Sequence, residues 1–174
     1  MEFKNSLIFS SLAKFGSSLK EELKRLKENF EVIVVDTSGR DTKDTRMVMI
    51  LSDIIVIPAI PSQFDVVVLE HMLEIFNEVK EINESVKGFV LPNRVSPNPF
   101  LSKELLNLIQ YIKELIKEKE LEDFKLLKSI IYERQAYRKA ILDGKTLDEL
   151  CSKNDKALLD FDMFFKELQN EIRR

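Results

Sequence analysis

The chain has 174 residues, of which 44% are hydrophobic, and a net charge of −3. That length and apolar content suffice for one compact domain, residues 1–174, with a core of its own. The charge balance excludes the strongly basic class of nucleic-acid binder and leaves only a local basic patch open. A single cysteine, Cys151, excludes a disulfide framework and a cysteine metal cluster. It reads as a small buried hydrophobe. No apolar run reaches the roughly 20 residues that span a bilayer. No charged segment followed by a long apolar stretch opens the chain. The expectation is a soluble, cytoplasmic protein with no membrane partner.

Ser18 and Glu21 have capping-box spacing, and Leu19, Leu23 and Leu26 follow at helical intervals. Val32 to Val35 form an apolar, β-branched run closed by Asp36 and the turn-forming Ser38-Gly39. A second run, Ile54 to Ile57, ends at Pro58. Val66 to Val79 carries Leu69, Leu73 and Phe76 on one helical face. Gly88 to Leu91 is a third short run, ended by Pro92 and Asn93. Leu105 to Ile116 repeats apolar residues with a period of 3.6. Leu126 to Tyr132 is a fourth run. Ala136 to Leu142 predicts a short helix stopped by Asp143-Gly144, and Ala157 to Ile172 predicts the last. Short apolar runs without polar alternation suit strands buried on both faces. Strand and helix in alternation predict an α/β fold: a mostly parallel sheet of about four strands with helices on both faces.

An apolar strand ending in Asp36 delivers a carboxylate to the C-terminal edge of such a sheet, where ligands bind. A carboxylate there can help hold Mg²⁺, as a Walker B residue does. Many strands also end in Asp because it suits the turn that follows. Beyond it come Asp53-Ile54-Ile55-Val56-Ile57-Pro58 and then Pro61-Ser62-Gln63-Phe64-Asp65. Next is Gly88-Phe89-Val90-Leu91-Pro92-Asn93-Arg94, and last the block from Ile131 to Gly144 with its Arg134-Gln135-Ala136-Tyr137. These four blocks, in this order over residues 31 to about 150, resemble the ParA/MinD family of deviant Walker partition ATPases, and the small plasmid-type ParA proteins in particular.

The resemblance implies several expectations. Asp36 is the Mg²⁺ residue and Asn93 lies near the adenine when nucleotide binds. Arg134, Arg138 and Lys139, with Lys145 beside them, are candidates for non-specific DNA contact, which needs only Lys and Arg on one face. Arg134 and Arg138, four apart, share a helix face. Ordinary helix-surface charge is the alternative, since Glu133, Asp143 and Asp148 lie close by. Intact members use ATP and Mg²⁺, dimerise, and bind a centromere-binding partner protein.

The departure from the pattern is equally clear. The family's strand and glycine-rich phosphate loop are not found in these residues. The four glycines, Gly16, Gly39, Gly88 and Gly144, are far apart. A phosphate loop aims successive backbone N–H groups at the phosphates, which glycine alone allows at that distance. The expected fold is therefore an incomplete P-loop NTPase-like one, corresponding to the C-terminal two-thirds of a ParA-like ATPase and starting at what would be an internal Met. The expected function is a ParA-like partition protein with no catalytic residue and no cofactor as it stands. The alternative is a non-enzymatic interaction module acting on an intact ParA or its partner. An unpaired central strand edge predicts self-association.

His71, the one histidine, follows Glu70 with no second ligand nearby and reads as a helix-surface residue. Ser11, Ser17 and Ser18 lack the setting of a nucleophilic serine.

Overall fold

The computed structural model describes residues 12–13 and 16–173; Ser11 and Arg174 lie outside them. The chain divides into two compact units, residues 1–51 and 52–174.

In the first unit, α1 spans Leu19–Lys27 and α2 spans Lys43–Leu51. α1 buries Leu23, and α2 buries Thr45, Val48 and Met49. Ser18 makes no capping hydrogen bond, because it already has helical backbone angles at the end of a 3-10 turn, Gly16–Ser18. A side-chain cap requires extended backbone at that position. α2 was not expected. Thr42 starts it, its hydroxyl accepting from the Thr45 N–H at 3.1 Å. The Lys27 ammonium closes its end by donating to the Leu51 carbonyl at 2.8 Å.

The run Val32–Val35 forms no strand. Val32 and Val34 are 75% and 89% exposed. A strand exists only through a neighbour's hydrogen bonds, and none pairs with this run among the described residues. β-branched composition alone does not supply that neighbour.

The second unit holds the sheet. Three parallel strands, β1 (Ile54–Ala59), β2 (Lys87–Pro92) and β3 (Phe124–Leu126), lie side by side in that order. Among the described residues the sheet thus has three strands, not the four expected. The fourth apolar run begins its pairing two residues earlier than expected and stops at Leu126. Beyond it the chain only touches the sheet, through the Leu127 N–H to the Val90 carbonyl (2.9 Å), the Ile131 N–H to the Pro92 carbonyl (2.9 Å) and a single bridge between Val95 and Tyr132. The interruption has a cause. The Glu167 carboxylate takes the N–H groups of Lys128 and Ser129 at 2.8 and 2.7 Å, which removes them from any ladder.

Helices cover both faces, as the alternating pattern predicts. α3 (Gln63–Ile82) and α4 (Ser102–Glu118) connect consecutive parallel strands and share one face. There Phe76 of α3 meets Phe124 edge-on, with ring centroids 4.8 Å apart. Gly88 lies beneath both rings. Tyr111 of α4 donates to the Glu70 carboxylate of α3, so the two helices lie against each other. On the other face, Phe89, Leu91, Leu127 and Ile131 form a core cluster. Ile54, Val56, Tyr137, Phe164 and Leu168 pack on it. Tyr137 belongs to α5 (Gln135–Asp143), and Phe164 and Leu168 to α7 (Lys156–Ile172); the one-turn α6 (Leu147–Leu150) joins them. Gly144 ends α5 in the left-handed region at φ 61°, as the Asp143-Gly144 stop signal predicts. Among the described residues, no helix is long and apolar enough to cross a membrane.

Candidate functional site

Parallel strands present their C-terminal ends on one edge, and the loops leaving that edge converge there. At this edge of the second unit, Pro58 is the next-to-last residue of β1, Leu91 the next-to-last of β2 with Asn93 just beyond it, and the Ile131-to-Arg134 segment returns beside them. Together with α5 and α7 they enclose a groove of about 470 Å³, within the usual range for a small-molecule site. Its walls are apolar and aromatic: Pro58, Leu91, Ile131, Tyr132, Tyr137 and Phe164. Its polar residues are Asn93, Arg94, Glu133, Arg134 and Arg138. Asn93 is fixed by its own N–H, which donates to the Ala59 carbonyl of β1 at 2.8 Å. Arg94, which follows it, has φ 50°, the left-handed region. Such backbone strain in a non-glycine residue gathers at binding loops.

The arginines differ in how much they are committed. Arg134 lies between Tyr132, whose ring centroid is 5.2 Å from its guanidinium carbon, and Asp160 of α7, at 2.6 Å. Its side chain is 19% exposed and that of Asp160 13%. The hydrogen bond to Asp160 holds the guanidinium above its ordinary pKa. Arg138 is 73% exposed and pairs with Glu133 at 2.8 Å. Arg94 approaches the same Glu133 at 3.7 Å. Two arginines thus share one carboxylate at the groove mouth. Tyr137 packs in the wall, donates its hydroxyl to the Ala157 carbonyl at 3.1 Å, and has its pKa raised by burial.

Of the residues singled out from sequence, Asn93, Arg134 and Arg138 come together in this groove. Lys139 is exposed on the next position of α5 and does not line it. Asp36 is exposed and belongs to the first unit. Lys145 follows the cap of α5 and is also exposed. His71 lies on α3 beside Glu74, 3.6 Å away. Cys151 is half-buried. Sequence reading missed the aromatic wall. Tyr137 was within reach, three residues after Arg134, but Phe161 and Phe164 arrive from a helix more than 20 residues further on.

The groove suits a flat aromatic group: apolar walls, a ring to stack on, and one amide, Asn93, able both to donate and to accept. For phosphates the residues fit less well. Gly88 serves core packing and Gly144 caps α5, so neither belongs to a phosphate loop.

Comparison with known proteins gives the wider setting. The family model described as ATPase MipZ matches residues 5–87. A ParA family protein of Mycoplasma genitalium is 30% identical over 93 residues, which are 53% of this chain and 35% of that protein. A ParA family protein of Mycoplasma pneumoniae is 28% identical over 95 residues, 55% of this chain and 35% of its own length. The maintenance of carboxysome distribution protein A of Halothiobacillus neapolitanus is 22% identical over 149 residues, 85% of this chain and 64% of that protein. The match therefore spans about a third of the length of the Mycoplasma relatives.

Proposed function

Since the chain belongs to the ParA-like family of ATPases, we propose that it is a ParA-like positioning protein of plasmid or chromosome partition whose groove holds the base end of an adenine nucleotide. In this reading these residues do not hydrolyse ATP unaided. The observation that carries it is the convergence of Asn93, Pro58 and the Ile131-to-Arg138 block on one aromatic groove at the C-terminal edge of the sheet. Asn93 reads the base and the aromatic wall stacks on it. Intact members of the family imply ATP and Mg²⁺. Arg138 and Lys139, which point outward on α5, carry non-specific DNA contact. Arg134, held by Asp160, supports the fold of that surface more than the contact itself. The carboxysome relative, named for maintaining distribution, makes positioning the broader description and partition one use of it.

The test follows from the missing cradle. A phosphate loop contributes most of its affinity to the β- and γ-phosphates. A site that grips only the base binds ATP, ADP and AMP within about threefold of one another. Calorimetry on the chain is expected to give weak, nearly equal affinities, insensitive to Mg²⁺ and lost in Asn93→Ala. A preference for ATP of tenfold or more in the presence of Mg²⁺ would overturn the account of the phosphate end.

A second reading is a non-enzymatic interaction module acting on an intact ParA or on a centromere-binding partner. It is favoured by Ile141 and Leu142 on α5, which are 81% and 85% exposed. The two readings separate in the same titration, since no binding of any adenine nucleotide assigns the chain to the second.

A further inference from the structure

The far edge of the sheet, away from the groove, carries a second cavity. Among the described residues, β3 is an edge strand. In a parallel ladder alternate residues point their N–H and C=O groups to opposite sides. Asp123 and Leu127 bond to β2, through the Gly88 N–H to the Asp123 carbonyl (2.8 Å) and the Leu127 N–H to the Val90 carbonyl (2.9 Å). The N–H and C=O of Leu126 and the C=O of Phe124 therefore point away from the sheet. They open onto a slot of about 440 Å³, lined on one side by Lys113 and Ile116 of α4 and on the other by Glu167 and Glu171 of α7. The slot is flanked by helices of both faces with a strand edge as its floor.

The charges in the slot are unequal. The Glu171 carboxylate is taken by Lys125 at 2.8 Å. Glu167 is spent on the Lys128 and Ser129 N–H groups, and this also ends the edge after Leu126. Lys113 and Lys128 are exposed and have no ion-pair partner among the described residues. Lysines on a strand edge discourage pairing with a like edge. The same charge selects a strand of opposite sign. We propose that the β3 edge is a docking site for a short, extended, acidic segment of a partner protein, added to the sheet as a further strand. Main-chain hydrogen bonds to Leu126 and Phe124 hold it, as in other strand-addition complexes. Its carboxylates reach Lys113 and Lys128, and its apolar side chains cover Ile116 and Leu126. This site shares no lining residue with the Asn93 groove and does not depend on nucleotide.

The experiment uses the full chain and a fluorescein-labelled hexapeptide of alternating glutamate and valine, with a lysine–valine peptide of the same length as control. Anisotropy is expected to show the acidic peptide binding at least about tenfold more tightly. The double variant K113E/K128E, both positions exposed, is expected to lose that margin while keeping its circular dichroism spectrum. Amide exchange by NMR is expected to slow at Leu126 when the acidic peptide is added. Equal binding of both peptides, binding that leaves the Leu126 amide unprotected, or no binding of the acidic peptide at millimolar concentration would overturn the proposal. A dimer of the chain that K113E/K128E separates would overturn it as well, giving the edge to a second copy.

Discussion

Gly88 is where one missing atom decides the packing. It sits in β2 opposite Ile55 of β1 and Phe124 of β3. A Cβ there would overlap the Phe124 ring and come within 2.8 Å of Phe76. Neither ring can retreat, since Phe76 is 1% exposed and Phe124 2%, and they pack edge to face. Overpacking a filled core costs roughly 1–3 kcal/mol, and this case belongs at the upper end. Urea unfolding of Gly88→Ala is expected to show a loss of about 3 kcal/mol, and a loss under about 0.5 kcal/mol would mean the rings move freely. Residues at the groove have another kind of constraint. Arg134 is between Asp160 and the Tyr132 ring, so its charge is already matched before any ligand or DNA arrives. An arginine in that position resists exchange for lysine, because only the planar guanidinium satisfies a ring face and a carboxylate at once.

At the scale of elements, α5 and α7 make the groove by packing on the sheet together, and Tyr137 is one point where they lock. Its hydroxyl donates to the Ala157 carbonyl at the start of α7, next to Asp155, which caps that helix by accepting from the Ala157 N–H at 2.8 Å. Burial raises the Tyr137 pKa, with Asp160 adding to the rise and Arg134 opposing it. The sign of the pH dependence follows. A folded-state pKa above the unfolded value of about 10 means the native state holds its proton longer. Tyr137 therefore contributes its full stability below pH ~10, and that share is lost as pH rises through the folded value. Thermal melts from pH 8 upward are expected to show a steeper alkaline decline in the parent chain than in Tyr137→Phe. The variant should lose about 1 kcal/mol at neutral pH for the hydrogen bond. Parallel declines in the two proteins would show that Tyr137 is not what couples stability to pH.

For the molecule as a whole, β1 poses the larger question. Its sequence, Ile54-Ile55-Val56-Ile57, is that of a strand buried on both faces with neighbours on both sides, yet it is the first strand of its sheet. The Asp53 and Ala59 carbonyls bond to the β2 side, so the N–H and C=O groups of Ile54 and Val56 point outward with no strand partner among the described residues. The run Val32–Val35 is β-branched and unpaired as well. Unpaired edges of apolar strands promote association. Light scattering at micromolar concentration is expected to give a dimer or larger species, and a clean monomer would sink the expectation.

Much of this was legible in the residues themselves. The runs at Ile54, Gly88 and Leu126, and the 3.6-residue periods of what became α3, α4 and α7, set out a parallel α/β sheet, because burial on both faces leaves a continuous apolar run in the sequence. The stop at Gly144 was readable because a left-handed cap has few residues to choose from. The motif blocks brought Asn93, Arg134 and Arg138 forward together, and they do line one groove. Tertiary structure alone decided the rest. Whether Val32–Val35 is a strand depends on a neighbour, and no property of four valine and isoleucine residues supplies one. The groove's aromatic wall depends on α7 returning to the sheet. The fate of Arg134 depends on Asp160, 26 residues away. Local sequence records how much of an element is buried, whereas partners distant in the chain are chosen only when the elements pack.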